Sequence, residues 1–332
     1  LGWGRRLHAI SIHLGYSKSE AADNALIDMY HKCGKIDDAC QLFQKMHVKN
    51  VVTWNTMISG YAKHGLLRYA FKLYEIMDCF PNRVTFVTIL KCCATVMDLE
   101  WGKSIYNEMV WNEVAIDVSL GNSLIDFYVN CNKVEDAQQV FINLRCKDVV
   151  SWTMMIRSYG KNEYVDKANK LLREMELGGV QPNEVTFVAI INACSLVGNL
   201  ELSMQIHSKL VSSGKEIVSL VANALIDSYV KCGDIHCACF LFDKMTHKDI
   251  ISWNSIISGY ALHGYARKSV LLVERMQQAY IEPNDVTFLG VLSACSRVGL
   301  IDEAVYIFIS MVQDGHIILT DDHFVCMVDL LA

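Results

Sequence analysis

Three prolines, Pro81, Pro182 and Pro283, each stand directly before an Asn and are separated by 101 and 101 residues. They mark an internal repeat, which constrains what a chain can fold into more than any single motif does. The phrase NALIDMYHKCGKIDDACQLFQKM at 24–46 returns at 223–245 as NALIDSYVKCGDIHCACFLFDKM, with 16 of 23 positions identical. Each period resolves into three units. A short unit of 31 residues covers 20–50, 118–148 and 219–249. A second opens VVTWNTMI, VVSWTMMI or IISWNSII and covers 51–82, 149–183 and 250–284. A third opens RVTFVTIL, EVTFVAII or DVTFLGVL and covers 83–117, 184–218 and 285–319. The second and third units have 35 residues, except that 51–82 is three short just before Pro81. LGWGRRLH at 1–8 aligns with LEWGKSIY at 99–106, so 1–19 reads as the tail of a third-type unit and 320–332 as the start of another short one.

Each unit reads as two helices. In 149–183, Trp152, Met155, Ile156 and Tyr159 follow the i, i+3, i+4, i+7 pattern, and Ala168, Leu171, Leu172 and Met175 resume a helical stripe after a polar break. Helices of about 12 residues are marginal alone. Stacking of helix pairs buries a continuous core, and the expectation is an all-α solenoid of about 20 helices, without a sheet. Hydrophobic residues make up 52% of the chain, yet no run approaches the ~18 uninterrupted apolar residues of a membrane span. No membrane partner is expected.

The formal net charge of −6 weighs against a nucleic-acid partner unless cations are placed locally. The 13 cysteines fall mostly in the repeated phrases KCG, NAC and SAC, where free Cys packs as a small hydrophobe; a reduced, intracellular protein is expected. The chain opens without Met, which leads us to expect a trimmed N-terminus and a targeting peptide outside this sequence.

The phrases VVTWNTMISGYAKHG, NALIDMYHKCGKIDDACQLFQKM and VTFVAIINACSLVGNLE resemble the plant pentatricopeptide repeat (PPR) proteins of the P-L-S subclass. The second unit looks like the P type, the third like the L type and the short one like the S type. The C-terminal VTFLGVLSACSRVGLIDEA…HFVCMVDLLA is similar to the last L unit and the start of the last S unit of such proteins. The resemblance implies a right-handed superhelical α-solenoid of helix-turn-helix PPR repeats. It implies binding of single-stranded RNA, one nucleotide per repeat, with N-terminal repeats towards the 5′ end. It further implies a part in C-to-U editing in a mitochondrion or chloroplast, alongside other RNA-editing proteins, with any cytidine-deaminase domain following after the chain stops.

The fifth residue of each S and P unit is polar: Asn24, Asn55, Asn122, Thr153, Asn223 and Asn254. Asn is a mediocre helix former, so its recurrence at one phase suggests a lined surface, or a bond to the neighbouring repeat. The resemblance makes this the first specificity position. The second is the last residue of the unit: Asn50, Asn82, Asp148, Asn183, Asp249 and Asn284. Asn or Asp before a helix is also an ordinary N-cap. Uracil offers an N–H at ring position 3, where a carboxylate can only accept; cytosine offers a lone pair, which an amide NH₂ satisfies. Family usage agrees: Asn with Asp favours U, Asn with Asn favours C, and Thr with Asn favours A. The L units carry Val87, Val188 and Leu289 at the fifth position and read as spacers. The expected site over residues 20–319 is 5′-CCnUAnUCn-3′.

Lys32, Lys63, Lys161 and Lys231 fall at the thirteenth residue of their units, eight beyond the fifth. That spacing of a little over two turns can place them beside the Asn row, and the resemblance assigns the position to phosphate. Solvated lysines answering the helix dipole are the alternative. Asn130 and Leu262 break the row. The H-x-E and P-C-x-x-C signals of a zinc deaminase are absent from these residues. His236, Cys237 and Cys239 look like a metal cluster, but residues two apart on a helix point about 200° away from each other, so neither a metal nor another cofactor is expected. The expected protein is thus an RNA-binding module without catalysis of its own. The alternatives are a peptide-holding solenoid and the recognition part of a longer deaminase.

Overall fold

The structure, a computed structural model, describes residues 3, 6, 8, 10, 19–214, 216–314, 317 and 319–331. The expected third-type tail at 1–19 lies almost wholly outside the described residues. Among the described residues there are 19 delimited helices and no strand. By Cα packing the chain divides into two compact units, Leu1–Met155 and Ile156–Ala332.

The first unit contains α1 (Glu20–Lys32), α2 (Ile36–Lys45), α3 (Val51–Lys63), α4 (Leu67–Glu75), α5 (Arg83–Val96), α6 (Leu99–Trp111), α7 (Val118–Asn130) and α8 (Val134–Asn143). α1, α3, α5 and α7 each pack on the even-numbered helix that follows, and α1, α3 and α5 also on the next odd-numbered helix. Next come α9 (Val149–Lys161) and α10 (Val165–Leu177). The second unit continues with α11 (Glu184–Val197), α12 (Leu200–Ser212), α13 (Ser219–Lys231), α14 (Ile235–Lys244), α15 (Ile250–Leu262), α16 (Ala266–Gln278), α17 (Asp285–Val298), α18 (Ile301–Asp314) and α19 (Asp321–Leu331). From α11 onward the same neighbours recur. Within each unit the odd helices form one layer and the even helices the other, the arrangement of stacked helix pairs.

The two layers differ as their neighbours dictate. Odd helices are covered on several sides: α15 buries Ser252, Trp253, Ile256, Ile257, Gly259 and Ala261. Even helices bury one stripe: α10 buries Val165, Ala168, Leu172 and Met175, at i, i+3, i+7 and i+10. A recurring triad locks the second helix of each S unit to the next P unit. The Trp54, Trp152 and Trp253 rings meet Phe43, Phe141 and Phe242 edge-on, with centroids 5.0, 4.9 and 4.9 Å apart. Lys49, Lys147 and Lys248 lie over those Phe rings, and their ammonium groups donate to the carbonyls of Met46, Leu144 and Met245. The tryptophans therefore serve packing, and the lysine before each S-unit terminus is held by the fold.

The three residues missing from 51–82 come out of the second helix. α4 has nine residues where α10 and α16 have 13. The loop that follows supplies Asp78, whose Oδ1 accepts the Trp54 indole N–H at 2.9 Å. Asn82 keeps its place at the start of α5. No described helix is long and apolar enough to cross a membrane.

Candidate nucleic-acid interface

The last residue of each S and P unit caps the helix that opens the next. Asn50, Asn82, Asn183, Asp249 and Asn284 are the N-caps of α3, α5, α11, α15 and α17, and each accepts backbone N–H groups through a side-chain oxygen. Asp148 does the same ahead of α9, with Ser151 N–H donating to its Oδ1 at 2.9 Å. Capping fixes which atom faces the helix. The other atom, an amide nitrogen in Asn or a second carboxylate oxygen in Asp, is turned away from it.

The fifth residue reaches this cap. Asn55 Nδ2 donates to Asn82 Oδ1 at 3.0 Å, and Asn254 Nδ2 to Asn284 Oδ1 at 3.1 Å. Asn122 Nδ2 donates to Asp148 Oδ1 at 3.1 Å, and Asn223 Nδ2 to Asp249 Oδ1 at 3.1 Å. Four of the sequence-derived pairs are therefore physically joined. Thr153 and Asn183 fall in different compact units. In 20–50 the pairing differs: Asn24 Oδ1 is buried without a hydrogen-bond partner, and Asn50 Nδ2 donates to the exposed Glu20 carboxylate instead. The fifth residues sit at the seam between odd helices, with Asn55, Thr153 and Asn223 only 7, 9 and 8% exposed and Asn122 and Asn254 half-buried.

Asp148 and Asp249 are firm acceptors. Partial burial pushes each carboxyl up, but hydrogen bonds from Ser151 and Asn122, or from Ser252 and Asn223, outweigh it and hold both below the ordinary carboxylate range. Both stay ionised at neutral pH.

Sequence reasoning missed the second residue of the unit. In the P and L units, Val52, Val84, Val150, Val185, Ile251 and Val286 are between 49 and 58% exposed, although they sit next to buried residues at the start of their helices. The signal was an apolar residue at one fixed phase just outside the helical stripe. Val52 and Val84 line a cleft of about 500 Å³ together with Asn55 and Asn82. Lys32, Lys63, His31 and His64 line it too.

The thirteenth-position lysines are all exposed, but they are not equivalent. Lys32 pairs with Asp28 at 2.6 Å and Lys231 with Asp227 at 2.7 Å, both four residues earlier on the same helix. Lys63 and Lys161 make no ion pair or hydrogen bond among the described residues, and Lys63 is on the cleft. Val87, Val188 and Leu289 of the L units are half-buried, consistent with packing. Among the described residues no three His, Cys, Asp or Glu side chains gather as they would around a metal ion.

The PPR repeat signature matches residues 24–51, 122–149, 185–214, 221–250, 251–281 and 286–316, and a second signature of the PPR repeat family matches 49–95 and 147–195. The chain belongs to the PPR repeat family. A pentatricopeptide repeat-containing protein of Arabidopsis thaliana is 32% identical over 335 residues, covering 100% of this chain and 46% of that relative. The chloroplastic pentatricopeptide repeat-containing protein DOT4 of the same plant is 36% identical over 336 residues, covering 99% of this chain and 38% of its own length. The chain thus spans well under two thirds of these relatives. PPR10 in complex with an 18-nt psaJ RNA element superposes with a TM-score of 0.75 at 17% identity, covering 92% of this chain and 47% of that one. A crystal structure of PPR10 from maize gives 0.62 at 18% identity, over 98% of this chain and 53% of that one. The likeness establishes the solenoid fold of helix-turn-helix PPR repeats for this chain.

Proposed function

We propose that this PPR chain binds single-stranded RNA sequence-specifically, one nucleotide per repeat, through the fifth and last residues of its S and P units. The observation that carries this is the joined polar pair. In four units the capping residue keeps one polar atom clear of the helix, a donor in Asn82 and Asn284 and an acceptor in Asp148 and Asp249, the last with only a 3.4 Å contact from Asn223. A cytosine edge suits the first pair and a uracil edge the second. The exposed second-position side chains suit the flat faces of a base, and in the cleft at Val52 and Val84 they flank the pair. Lys63 and Lys161 suit the phosphates, with Lys32 and Lys231 already engaged by carboxylates. The net charge of −6 then leaves weak nonspecific binding and makes base reading carry the affinity.

The S-P-L order of units is that of the P-L-S subclass, and on this reading the chain is the recognition part of an organellar C-to-U editing factor. It acts in a mitochondrion or chloroplast with other editing proteins. The RNA-bound state of PPR10 and the chloroplastic naming of DOT4 support this reading. Fluorescence anisotropy with 5′-CCAUAAUCA-3′ against a scrambled RNA of the same composition tests it. Tighter binding of the ordered RNA by about 10-fold or more is expected, and equal binding of the two refutes base reading by this chain.

A further inference from the structure

We infer that the third residue of the following unit, a buried hydroxyl, is the positioning residue that fixes which end of the reading amide faces the base. This rests on the base-reading assignment above. An Asn side chain can present either end at almost the same shape, and turning it over exchanges donor for acceptor. The last residue of a unit cannot turn, because its oxygen caps a helix. Asn82 Oδ1, for example, accepts Val84 N–H at 3.0 Å and Thr85 N–H at 3.2 Å. The fifth residue has no such backbone anchor. Its oxygen is claimed by a hydroxyl from the next unit: Thr85 Oγ1 donates to Asn55 Oδ1 at 2.7 Å, Ser151 Oγ to Asn122 Oδ1 at 2.6 Å and Thr287 Oγ1 to Asn254 Oδ1 at 2.6 Å.

In each of these contacts the hydroxyl is the donor. Thr287 Oγ1 already accepts Asn284 N–H at 3.1 Å, which aims its own proton at the two amide oxygens, Asn254 Oδ1 and the more distant Asn284 Oδ1 at 3.0 Å. A turned Asn254 would give up the hydroxyl's hydrogen bond and set its own Oδ1 against Asn284 Oδ1, which also only accepts. Thr85, Ser151 and Thr287 are 0% exposed, so water cannot replace them. With Asn254 held, the Asn254–Asn284 pair offers only N–H groups to an incoming edge, which cytosine satisfies and uracil N3–H does not.

Unit 219–249 works differently. Ser252 Oγ donates to Asp249 Oδ1 at 2.8 Å, and Asn223 Oδ1 is buried with no hydrogen-bond partner. Asn223 Nδ2 instead spans both carboxylate oxygens, at 3.1 and 3.4 Å. A carboxylate only accepts, so Asp249 by itself holds the amide. In all four pairs the capping oxygen holds the amide nitrogen; the hydroxyl adds the hold on the amide oxygen of Asn55, Asn122 and Asn254, and Asn223 does without it.

The test compares Thr287→Val, Thr287→Ser and Ser252→Ala by competition binding with RNAs that differ only at the eighth or seventh letter of the site. Wild type and Thr287→Ser are expected to prefer C over U at the eighth letter by about 10-fold, and Thr287→Val by less than about 3-fold. Ser252→Ala is expected to keep its preference for U at the seventh. In the free protein, the Asn254 side-chain NH₂ signals should be protected from solvent exchange in wild type and Thr287→Ser and lose that protection in Thr287→Val. Thr85→Val repeats the experiment at the second letter, so the outcome does not hang on one variant folding. A Thr287→Val protein that weakens C and U RNAs equally overturns the inference and leaves base reading standing. A wild type with no preference at the eighth letter overturns base reading and this inference together.

Discussion

Asp249→Asn isolates one atom of the proposed reading pair. Asp249 Oδ1 is fully engaged, accepting Ser252 N–H at 2.8 Å, Ser252 Oγ–H at 2.8 Å and Asn223 Nδ2–H at 3.1 Å. Oδ2 has only the long contact of 3.4 Å to Asn223. The backbone and hydroxyl donors keep an oxygen at the Oδ1 place after substitution, so the new NH₂ takes the place of Oδ2. The unit then matches the Asn254–Asn284 pair. A uracil N3–H that met an acceptor now meets a donor, and a cytosine N3 that met an acceptor now meets a donor. An unsatisfied buried group costs about 1–3 kcal/mol and a neutral hydrogen bond contributes about 0.5–1.5. The lower ends together reach about 1.5 kcal/mol, slightly more than tenfold. The preference at the seventh letter should therefore swing from U to C by about 10-fold or more. Thermal stability should move little, since Asn and Asp cap helices comparably. Competition binding with two RNAs differing at that letter reads the swing. Equal weakening of both RNAs would mean that Asp249 only caps α15, and the reasoning would fail for this unit.

Other consequences follow from single residues. Met97 holds φ at 55° where the equivalent Gly198 and Gly299 hold 70° and 74°, so Met97→Gly should stabilise the protein by about 1 kcal/mol in urea unfolding; no gain would show that the Met97 side chain, 66% exposed, contributes packing. His31 stands where Val129 and Val230 stand in the other S units, buried against Gly60, with Nδ1 unpartnered. Burial first, then His64 and Lys63, hold its pKa below the ordinary value, with Asp28 opposing, so the unfolded chain binds the proton more readily. Stability should therefore fall as pH drops below about 6.5, and His31→Val should flatten that fall; an unchanged pH profile in the variant would assign it to other groups. Lys63→Ala and Lys161→Ala should weaken all RNAs alike and each lower the salt slope of log K by about 0.7, whereas Lys32→Ala and Lys231→Ala should change it less. Equal slopes in all four would remove the distinction drawn from their ion pairs.

Much of the fold was legible because the period of the chain is the period of the structure. Pro81, Pro182 and Pro283 precede the caps of α5, α11 and α17, and Trp152, read as part of an apolar stripe, packs edge-on against Phe141. The reading pairs were legible as positions but not as a mechanism. Capping and base reading were weighed as alternatives, whereas the Oδ1 of one Asn or Asp both caps the helix and holds the fifth residue, leaving the second side-chain atom free for the proposed reading, a division that residue spacing cannot carry. The third-position hydroxyls were hidden because Thr and Ser at N3 look like ordinary helix-start residues. The lysine row looked uniform in sequence, since the carboxylates at Asp28 and Asp227 matter only once a helix brings them one turn away. Glu20, which takes Asn50 Nδ2, sits 30 residues away in the chain and gave no signal of its own.

The claim that this chain reads RNA one base per repeat is tested most directly by selecting bound RNAs from a random pool and sequencing them. Enrichment of a single motif of the form CCnUAnUCn, with no preference at the three n positions, is the predicted result. A pool that stays random, or a motif whose fixed letters cannot be aligned with the order of the Asn–Asn and Asn–Asp pairs along the chain, would contradict it.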